Sequence, residues 1–480
     1  MADVDIAIIG GGLNGVSIAH DAAGRGLRVL LLEQNDLGGG AASASAHLMH
    51  GNVIDLERGH VLRIRRALAE RDLALRAAPH LVRPARFVLP AHADERPLAV
   101  MRAGLYAYDR LAPRSDLPRS EVLDLTIHEA GHPLKRSLRQ ALAWSDCTVD
   151  ETRLVVLTAV DAAARGAAIW TGARCAWAER SEVWRLTVVN RGRRESVVAR
   201  ALVNASGAWT RAVAESVLHL PPVQASLAKV SQIVVRRIFD RDDVYLLQND
   251  DHRMIYAIPY HRDFTLIGSS ERGLAGDPAA LSAGADDIAY LCAAASRYFR
   301  ERVEPSDAVH AVAGGHLETA RDGVMKLDRK RGRAPLLTVI GGSTAGARRR
   351  AETAVARLGK TTLPAWTAGA PLPGGDFAWD AFDDEVESAR QRWPFLTERH
   401  AWRLVEAYGT RIDHVLGAAK SMDDLGARFG DDLTASEVRY LMKEEFARFA
   451  NDVLWRRSKL GLTMPRQDRE ALEIFMASAS

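Results

Sequence analysis

The alternation of apolar and polar positions at the start of the chain predicts a strand, a helix and a second strand in close succession. An apolar run leads into the glycine-rich turn of residues 10–15, a helical pattern follows over residues 16–25, and a second apolar run over residues 29–32 ends at Glu33. Strand, glycine turn, helix, strand and terminal acid, in that order, are typical of a dinucleotide-binding βαβ unit. An ordinary strand–helix turn is the alternative, and the full order of features disfavours it.

The residue types in this unit indicate how a dinucleotide would bind. Gly10, Gly12 and Gly15 allow a tight turn, let backbone approach a pyrophosphate, and let the helix pack closely on the strand with its positive end toward the phosphates. Asn14 lies within the same turn, and Glu33, eighteen residues after Gly15, would accept hydrogen bonds from a ribose. We therefore predict that these five residues bind the cofactor.

Two later apolar strands indicate which dinucleotide binds. Residues 201–209 and 336–342 each read as a short buried strand that ends in small residues, and they place Gly207, Trp209, Gly341 and Gly342 at strand ends. A doubly wound nicotinamide enzyme binds its cofactor mostly within one continuous domain, whereas large flavoproteins collect FAD from such distant strands as well. The sequence therefore favours FAD over NAD, although either strand alone would read as an ordinary buried strand.

The remaining pattern predicts two further regions. A long helix is expected over residues 61–77, proline-punctuated segments follow over 79–139, and strands at 231–235 and 264–268 favour an antiparallel substrate domain. Beyond a Pro-, Gly- and Ala-rich linker the pattern is helical. We predict an α/β fold with a Rossmann-like FAD-binding domain (segments about 1–75, 140–215 and 300–360), an antiparallel-sheet substrate domain (about 76–139 and 216–299), a linker at 361–376 and a C-terminal helical domain at 377–480.

Composition and charge narrow the functional class. The 480 residues suffice for two or three domains, and 47% hydrophobic with 26% charged residues is ordinary for a globular enzyme. The net charge of +3 comes from basic residues spread among acids, which argues against a nucleic-acid binder. Three cysteines without metal or disulfide spacing suit a reducing cytoplasm, and we expect neither a metal site nor a signal peptide. No apolar run reaches the roughly 18 residues of a spanning helix.

Over nearly its whole length the sequence resembles the aerobic, quinone-linked family of FAD-dependent glycerol-3-phosphate dehydrogenases. The more specific matches are Ser145-Asp146-Cys147, Leu372-Pro373-Gly374-Gly375, Pro394-Phe395-Leu396-Thr397 and Trp455-Arg456-Arg457. The resemblance implies an FAD domain of the amino-acid oxidase type, an antiparallel substrate domain and a helical C-terminal cap. It also implies oxidation of sn-glycerol 3-phosphate to dihydroxyacetone phosphate, electron transfer to quinone, and peripheral attachment to the cytoplasmic face of the cell membrane. A homodimer is a candidate assembly. An amino-acid or sarcosine-like oxidase would leave the C-terminal region without a counterpart.

The resemblance also assigns candidate catalytic residues. Oxidation of a secondary alcohol needs a base for the hydroxyl proton, and His50 lies where the family places the segment facing the flavin. Ser43 and Ser45 in the same segment are assigned to cofactor binding. A phosphate dianion needs guanidinium groups, for which Arg321 and Arg348 stand in matched positions. A polar loop histidine and solvated arginines are the alternatives.

The family pattern fails at several positions of the implied substrate pocket. Around His50 the family reads Ser-x-Lys-Leu-x-His-Gly-Gly-x-Arg-Tyr-Leu, whereas this chain has His47, Asn52, Ile54 and Asp55 at the Lys, second Gly, Arg and Tyr. Elsewhere His316 replaces an arginine, Ser343 a lysine and Gln232 a histidine. Four lost cations and one gained acid move the local charge by about five units toward negative, which opposes a dianion. The family reaction remains the predicted function. The alternatives are a less anionic alcohol or amine substrate, or a flavoprotein with little catalytic activity.

Overall fold

The computed structural model describes residues 2–56, 58–91, 98–112, 115–274, 277–318 and 322–479, with the side chains of Ile54 and residues 270–274 excepted. The strands are β1 Ile6–Ile9, β2 Val29–Glu33, β3 Leu48–Met49, β4 Val82–Pro90, β5 Glu121–Asp124, β6 Gln140–Val149, β7 Ala168–Thr171, β8 Ala173–Arg180, β9 Trp184–Asn190, β10 Arg193–Ala199, β11 Leu202–Asn204, β12 Ser226–Arg236, β13 Val244–Gln248, β14 Met254–Tyr260, β15 Phe264–Leu274, β16 Ala308–Glu318, β17 Val324–Asp328, β18 Leu336–Ile340, β19 Arg428–Phe429 and β20 Leu433–Thr434. The helices are α1 Leu13–Gly24, α2 Val61–Ala77, α3 Leu98–Leu111, α4 Glu151–Ala164, α5 Thr210–Ser216, α6 Ala285–Tyr298, α7 Ala347–Leu358, α8 Phe382–Arg392, α9 Glu398–Tyr408, α10 Ile412–Leu416, α11 Ala435–Glu444 and α12 Arg466–Ser478.

A mostly parallel sheet carries the N-terminal βαβ unit. Its strand order is β17-β18-β11-β1-β2-β7, with only β17 antiparallel among the described strands. Helices α1, α4 and α7 cover one face, and the three-stranded sheet β8-β9-β10 covers the other. Burial on both faces explains why β1 and β2 are almost continuously apolar. The predicted unit is confirmed, although α1 begins three residues earlier than the predicted helix.

A second, mainly antiparallel sheet holds the predicted substrate strands. Its order is β16-β12-β15-β14-β13-β4-β6-β3, with β5 beside β6. Helix α6 packs on one face, and α2 and α3 pack on the other. Strands β6 and β16 belong to this sheet, so the predicted FAD-binding segments at 140–215 and 300–360 each begin too early. Strand β6 pairs with β4, as in the pairing of Val82 with Val149, and β16 pairs with β12, and both pairings join residues more than fifty positions apart, which no local pattern reveals.

The C-terminal helices form a core of their own that is joined to the rest by buried polar contacts. Helices α8 to α12 surround one apolar cluster that includes Leu404, Val438 and Leu472. The predicted linker lies along the FAD-binding region, where Trp366 Nε1 donates to the carbonyl of Asp21 and Leu372 N donates to that of Ala77. The linker is therefore docked on α1 and α2.

Candidate cofactor and active site

The glycine turn before α1 combines tight packing with one open position. A Cβ on Gly15 would lie 1.9 Å from the carbonyl oxygen of Gly10, and Gly10 itself has a φ of 111°. A Cβ on Gly12 would meet no atom within 4 Å. Gly12 is the N-cap of α1 and has no side-chain cap, so the first N–H groups of the helix remain available to an anion. The turn thus forms an open cradle for a pyrophosphate.

A cavity of about 1590 Å³ opens above this turn, at the carboxyl ends of β1, β2, β11 and β18. This is the place where open α/β sheets bind nucleotides. Eight of the predicted cofactor residues line it: Gly10, Gly12, Asn14, Glu33, Gly207, Trp209, Gly341 and Gly342. The run Gly38-Gly39-Gly40 also lines it and was missed, although a triple glycine is itself a signal for close backbone approach.

Glu33 fixes the direction in which a dinucleotide lies in the cavity. Its carboxylate accepts hydrogen bonds from the backbone N–H of Gly11 at 2.7 Å and of Asn35 at 2.8 Å. Burial raises the pKa of Glu33, and these backbone bonds act in the opposite direction. The remaining lone pairs can accept ribose hydroxyls. A dinucleotide with its adenosine ribose at Glu33 would direct its other half across β1 toward β11 and β18.

Arg350 joins the two loops that meet at this flavin end. Its guanidinium donates to Asn14 Oδ1 at 3.0 Å, to Asp322 Oδ1 at 2.8 Å and to the carbonyl of Ser343 at 2.6 Å. Asn14 in turn donates to the carbonyl of Gly341. Arg350 could not be identified from sequence because its partners lie up to 336 residues away.

A carboxyl group that titrates near neutrality lies at the same end. Glu151 lines the cavity, and its carboxylate accepts hydrogen bonds from the hydroxyls of Thr344 and Ser45. Burial raises the pKa of Glu151 to about 7. Ser45, predicted to bind the cofactor, thus contacts Glu151. Ser43, predicted likewise, donates to the carbonyl of Gly40 at 2.7 Å.

His50 follows β3 and lies beside Phe87 of the antiparallel sheet. Among the described residues that line the cofactor cavity, His50 is absent. Its Nδ1 accepts a hydrogen bond from the backbone N–H of Asn52 at 3.1 Å. Burial lowers the pKa of His50, against the attraction of Asp146 and Asp55. The imidazole is therefore neutral at neutral pH, and the Asn52 contact places its proton on Nε2.

The segment around His50 is connected by hydrogen bonds to the buried carboxylate of Asp146. Asp146 accepts hydrogen bonds from Arg71 at 2.7 Å, from the Tyr108 hydroxyl at 2.7 Å and from Trp144 Nε1 at 3.0 Å. Tyr108 also accepts the N–H of Gly51 at 2.8 Å. This network ties the backbone at Gly51 to the buried Asp146 of β6 through Tyr108.

The structure qualifies two of the charge arguments made from sequence. Asp55 is buried, with cationic or titratable groups of Arg63, His60 and Arg58 at 3.3, 3.6 and 3.9 Å. Its negative charge is compensated locally, so the predicted five-unit change overstates the repulsion of an anion. Arg348 donates twice to Glu70 at 2.8 Å and is thereby engaged in an ion pair. Arg321 lies outside the described residues.

Gln232 occupies the position where the family has a histidine, and its side-chain amide donates hydrogen bonds to groups of this chain. Gln232, which is buried, donates through Nε2 to the Tyr256 hydroxyl at 2.9 Å and also to the carbonyl of Ser45. A neutral amide here can bind a hydroxyl group but cannot supply a charge. Gln232 therefore leaves this position neutral and internally hydrogen-bonded.

Comparison with known proteins extends over both parts of the chain. Residues 5–348 match the family described as FAD dependent oxidoreductase, and residues 365–479 match the C-terminal domain of alpha-glycerophosphate oxidase. A glycerol-3-phosphate dehydrogenase of Pseudomonas aeruginosa is 40% identical over 99% of this chain and 95% of that protein. The aerobic glycerol-3-phosphate dehydrogenase of Escherichia coli is 37% identical over 96% and 95%. A D-erythritol 1-phosphate dehydrogenase of Brucella abortus is 37% identical over 97% and 96%.

The fold agrees with a solved structure of similar extent. The glycerol-3-phosphate dehydrogenase of Bacillus halodurans, solved with FAD, superposes with a TM-score of 0.78 at 22% identity, over 99% of this chain and 90% of that chain. At this identity the likeness establishes the fold, with its FAD-binding, antiparallel-sheet and C-terminal helical parts.

Proposed function

The chain belongs to the FAD-dependent oxidoreductase family, and from this premise we propose that it oxidises sn-glycerol 3-phosphate to dihydroxyacetone phosphate and passes the electrons to a quinone. The observation that carries the proposal is the full-length likeness to glycerol-3-phosphate dehydrogenases on both sides of the linker. FAD is the cofactor, and the open cradle at Gly12 and the carboxylate of Glu33 fit it. When bound, FAD supplies a two-electron acceptor for the substrate carbon.

In this proposal the chain's own residues hold the cofactor and handle the hydroxyl proton. The N-terminal N–H groups of α1 bind the pyrophosphate and Glu33 binds the ribose. His50, kept neutral by burial, takes the hydroxyl proton of the substrate. Because Nδ1 accepts from Asn52, the ring must turn about χ2 to present this unprotonated nitrogen to the substrate.

Anaerobic addition of glycerol 3-phosphate tests the reaction directly. We expect the flavin absorbance to bleach, and a quinone added afterwards to restore it. An oxidised spectrum that persists with glycerol 3-phosphate, while dithionite bleaches it, would contradict the proposed substrate. Glycerol serves as the uncharged control.

Two substitutions of His50 distinguish its possible role as a base from a role as a hydrogen-bond donor. We expect both His50→Ala and His50→Gln to lower kcat by at least about 10²-fold, because neither side chain can take a proton. Steady-state kinetics with flavin content measured in parallel provide the check. If His50→Gln were nearly as active as the unsubstituted enzyme while His50→Ala was inactive, His50 would act by donating a hydrogen bond from Nε2 and not as a base.

A second candidate function is the oxidation of a less anionic alcohol or an amine. It is favoured by the engagement of Arg348 with Glu70 and of Arg350 with Asp322, which occupies both guanidinium groups in ion pairs. The relative that is named for D-erythritol 1-phosphate indicates that the alcohol part of the substrate varies among proteins of this similarity, whereas the phosphate is kept in that name.

Restoring two family arginines distinguishes these candidates. If the substrate is a phosphate ester, Ile54→Arg with His316→Arg should raise kcat/KM for glycerol 3-phosphate at least about tenfold, since a charge-assisted contact contributes about 1.5–3 kcal/mol. The uncharged control is Ile54→Gln with His316→Gln. A double arginine variant with full flavin content and unchanged or lower kcat/KM would favour the less anionic substrate.

For its location we propose peripheral contact with the cytoplasmic face of the cell membrane. In the described residues no helix has the length and apolar character to cross a membrane. On α2, Leu62, Arg65 and Arg66 are exposed side by side, and α3 adds exposed Val100 and Tyr106. Apolar side chains beside arginines suit an anionic lipid surface. Residues 348–350 form a second run of arginines, but Arg348 and Arg350 are engaged in the ion pairs described above.

Sedimentation with lipid vesicles tests this surface. Arg65→Glu with Arg66→Glu should reduce binding to vesicles rich in phosphatidylglycerol, because each basic residue contributes about 1 kcal/mol near such a surface. The matched control is Arg193→Glu with Arg194→Glu, two exposed arginines at the start of β10. Equal binding by both variants would exclude α2 as the contact.

A further inference from the structure

An apolar cavity of about 730 Å³ lies directly behind the flavin end of the cofactor cavity. It is bounded by α1, α2, α4, α7 and the docked linker. The two cavities share Leu13 and Thr344 as wall residues. Because Leu13 and Thr344 line both cavities and Thr344 follows β18, only the residues of this shared wall separate the second cavity from the β18 end of the cofactor cavity.

The lining of this second cavity suits an apolar ring rather than a charged acceptor. Thirteen of its twenty lining residues are apolar, and most of these are alanines, such as Ala74, Ala77 and Ala345. The two charged lining residues, Glu70 and Arg348, bind each other at 2.8 Å. A phosphate-bearing acceptor would have to disrupt that pair and desolvate its own charge, which is costly.

We propose that this cavity is the binding site for a quinone-class electron acceptor, separate from the site where the alcohol binds; the inference rests on the proposed function. The stoichiometry balances. The alcohol loses two electrons and two protons as its C–O bond becomes a carbonyl, and the quinone takes up the same two electrons and two protons as its carbonyls become hydroxyls. The cofactor carries the electrons between the two sites.

Polar groups at the shared wall and beside it suit this transfer. Ser17 on α1 lines the cavity, and its hydroxyl can donate a hydrogen bond to a quinone carbonyl. His20, one helical turn further along α1, is engaged through Nε2 with Asp161 at 2.5 Å. The hydroxyl of Thr344 donates to Glu151, whose carboxyl faces the cofactor cavity and can hold a proton. A proton can therefore be held at the wall that the two cavities share.

Helix α2 connects this cavity to the proposed membrane contact. Its C-terminal half contributes Leu73, Ala74 and Ala77 to the lining, and its N-terminal half exposes Leu62 and Arg65. An acceptor dissolved in the lipid would thus meet the helix that forms the cavity wall. A polar acceptor arriving from water gains nothing from this arrangement.

Reoxidation of photoreduced enzyme tests the proposal without relying on any alcohol substrate. The flavin is reduced anaerobically by light with EDTA, and reoxidation is followed with ubiquinone-1 or with ferricyanide. Ala74→Phe, which fills the cavity from α2, should slow reoxidation by ubiquinone-1 at least about tenfold and leave that by ferricyanide unchanged. Ala69→Phe, on the exposed side of the same helix, should change neither rate.

A binding measurement and a second variant keep the test decisive. Equilibrium dialysis should show tenfold weaker binding of ubiquinone-1 to Ala74→Phe than to Ala69→Phe. Ala368→Phe, in the exposed part of the wall, should reproduce the effect if Ala74→Phe does not fold. Unchanged reoxidation by ubiquinone-1, or equal slowing with both acceptors, would overturn the proposal. Failure of glycerol 3-phosphate to bleach the flavin would overturn only the proposed alcohol substrate.

Discussion

Gly12→Val should give a folded protein without flavin. A Cβ at this position meets no atom within 4 Å and the backbone φ is −84°, so valine is accommodated by the protein itself. Its methyl groups would project into the space where a pyrophosphate must approach the backbone. We expect FAD affinity to fall at least about 10³-fold, or 4 kcal/mol, so that the protein purifies colourless. Flavin absorbance per protein and a titration of apoprotein with FAD provide the measurement.

Two other glycines serve as controls for this prediction. Gly104 on α3 also has open space at its Cβ position but lies away from the cofactor cavity, so Gly104→Val should keep its flavin. Gly15→Ala should fail to fold, because its methyl group would lie 1.9 Å from the carbonyl oxygen of Gly10. A yellow Gly12→Val protein with full flavin content would contradict the assignment of this turn to the pyrophosphate.

The features that the sequence predicted well depend on local pattern. Helix α2 has the predicted bounds Val61–Ala77, because its apolar positions repeat with helical spacing and Ile64 and Leu68 pack against the antiparallel sheet. The βαβ unit was likewise visible, since its glycines, its helix and Glu33 lie within thirty-three residues. In both cases neighbouring residues determine the structure together.

The features that the sequence did not reveal depend on contacts between distant segments. Strand β16 looks like any other strand, and its place beside β12 depends on pairing across about eighty residues. The ion pairs of Arg348 and Arg350 could not be distinguished from a basic helix surface until Glu70 and Asp322 were located in space. Accordingly, most residues predicted to bind the cofactor line the cavity at the strand ends, whereas the partners of the predicted substrate-binding Arg348 could not be read from sequence.

The same dependence on distant contacts makes the ion pair between Arg153 and Glu445 a sensitive point of the fold. Both side chains are at most 1% exposed, and Arg153 Nη2 donates to Glu445 Oε1 at 2.9 Å and to the carbonyl of Ala407 at 2.6 Å. The carboxylate of Glu445 raises the pKa of Arg153 against the effect of burial. Arg153 lies on α4 of the FAD-binding region and Glu445 follows α11, so the pair joins that region to the C-terminal helices.

Glu445→Ala should therefore lower the free energy of unfolding by about 3–5 kcal/mol, because it leaves a buried guanidinium without its counterion. Urea unfolding provides the measurement, and limited proteolysis near residues 361–376 would report release of the C-terminal helices. Removal of the exposed pair between Glu387 and Arg390 by Glu387→Ala should cost less than about 1 kcal/mol.

Replacing both partners distinguishes a need for charge from a need for packing. Arg153→Met with Glu445→Leu fills the same space without charge, so we expect it to recover most of the stability that Glu445→Ala loses. The carbonyl of Ala407 then loses its donor, which limits the recovery by roughly 1–3 kcal/mol. A double variant less stable than Glu445→Ala would show that the hydrogen bonds of Arg153 to Ala407, rather than its pairing with Glu445, hold the C-terminal helices in place.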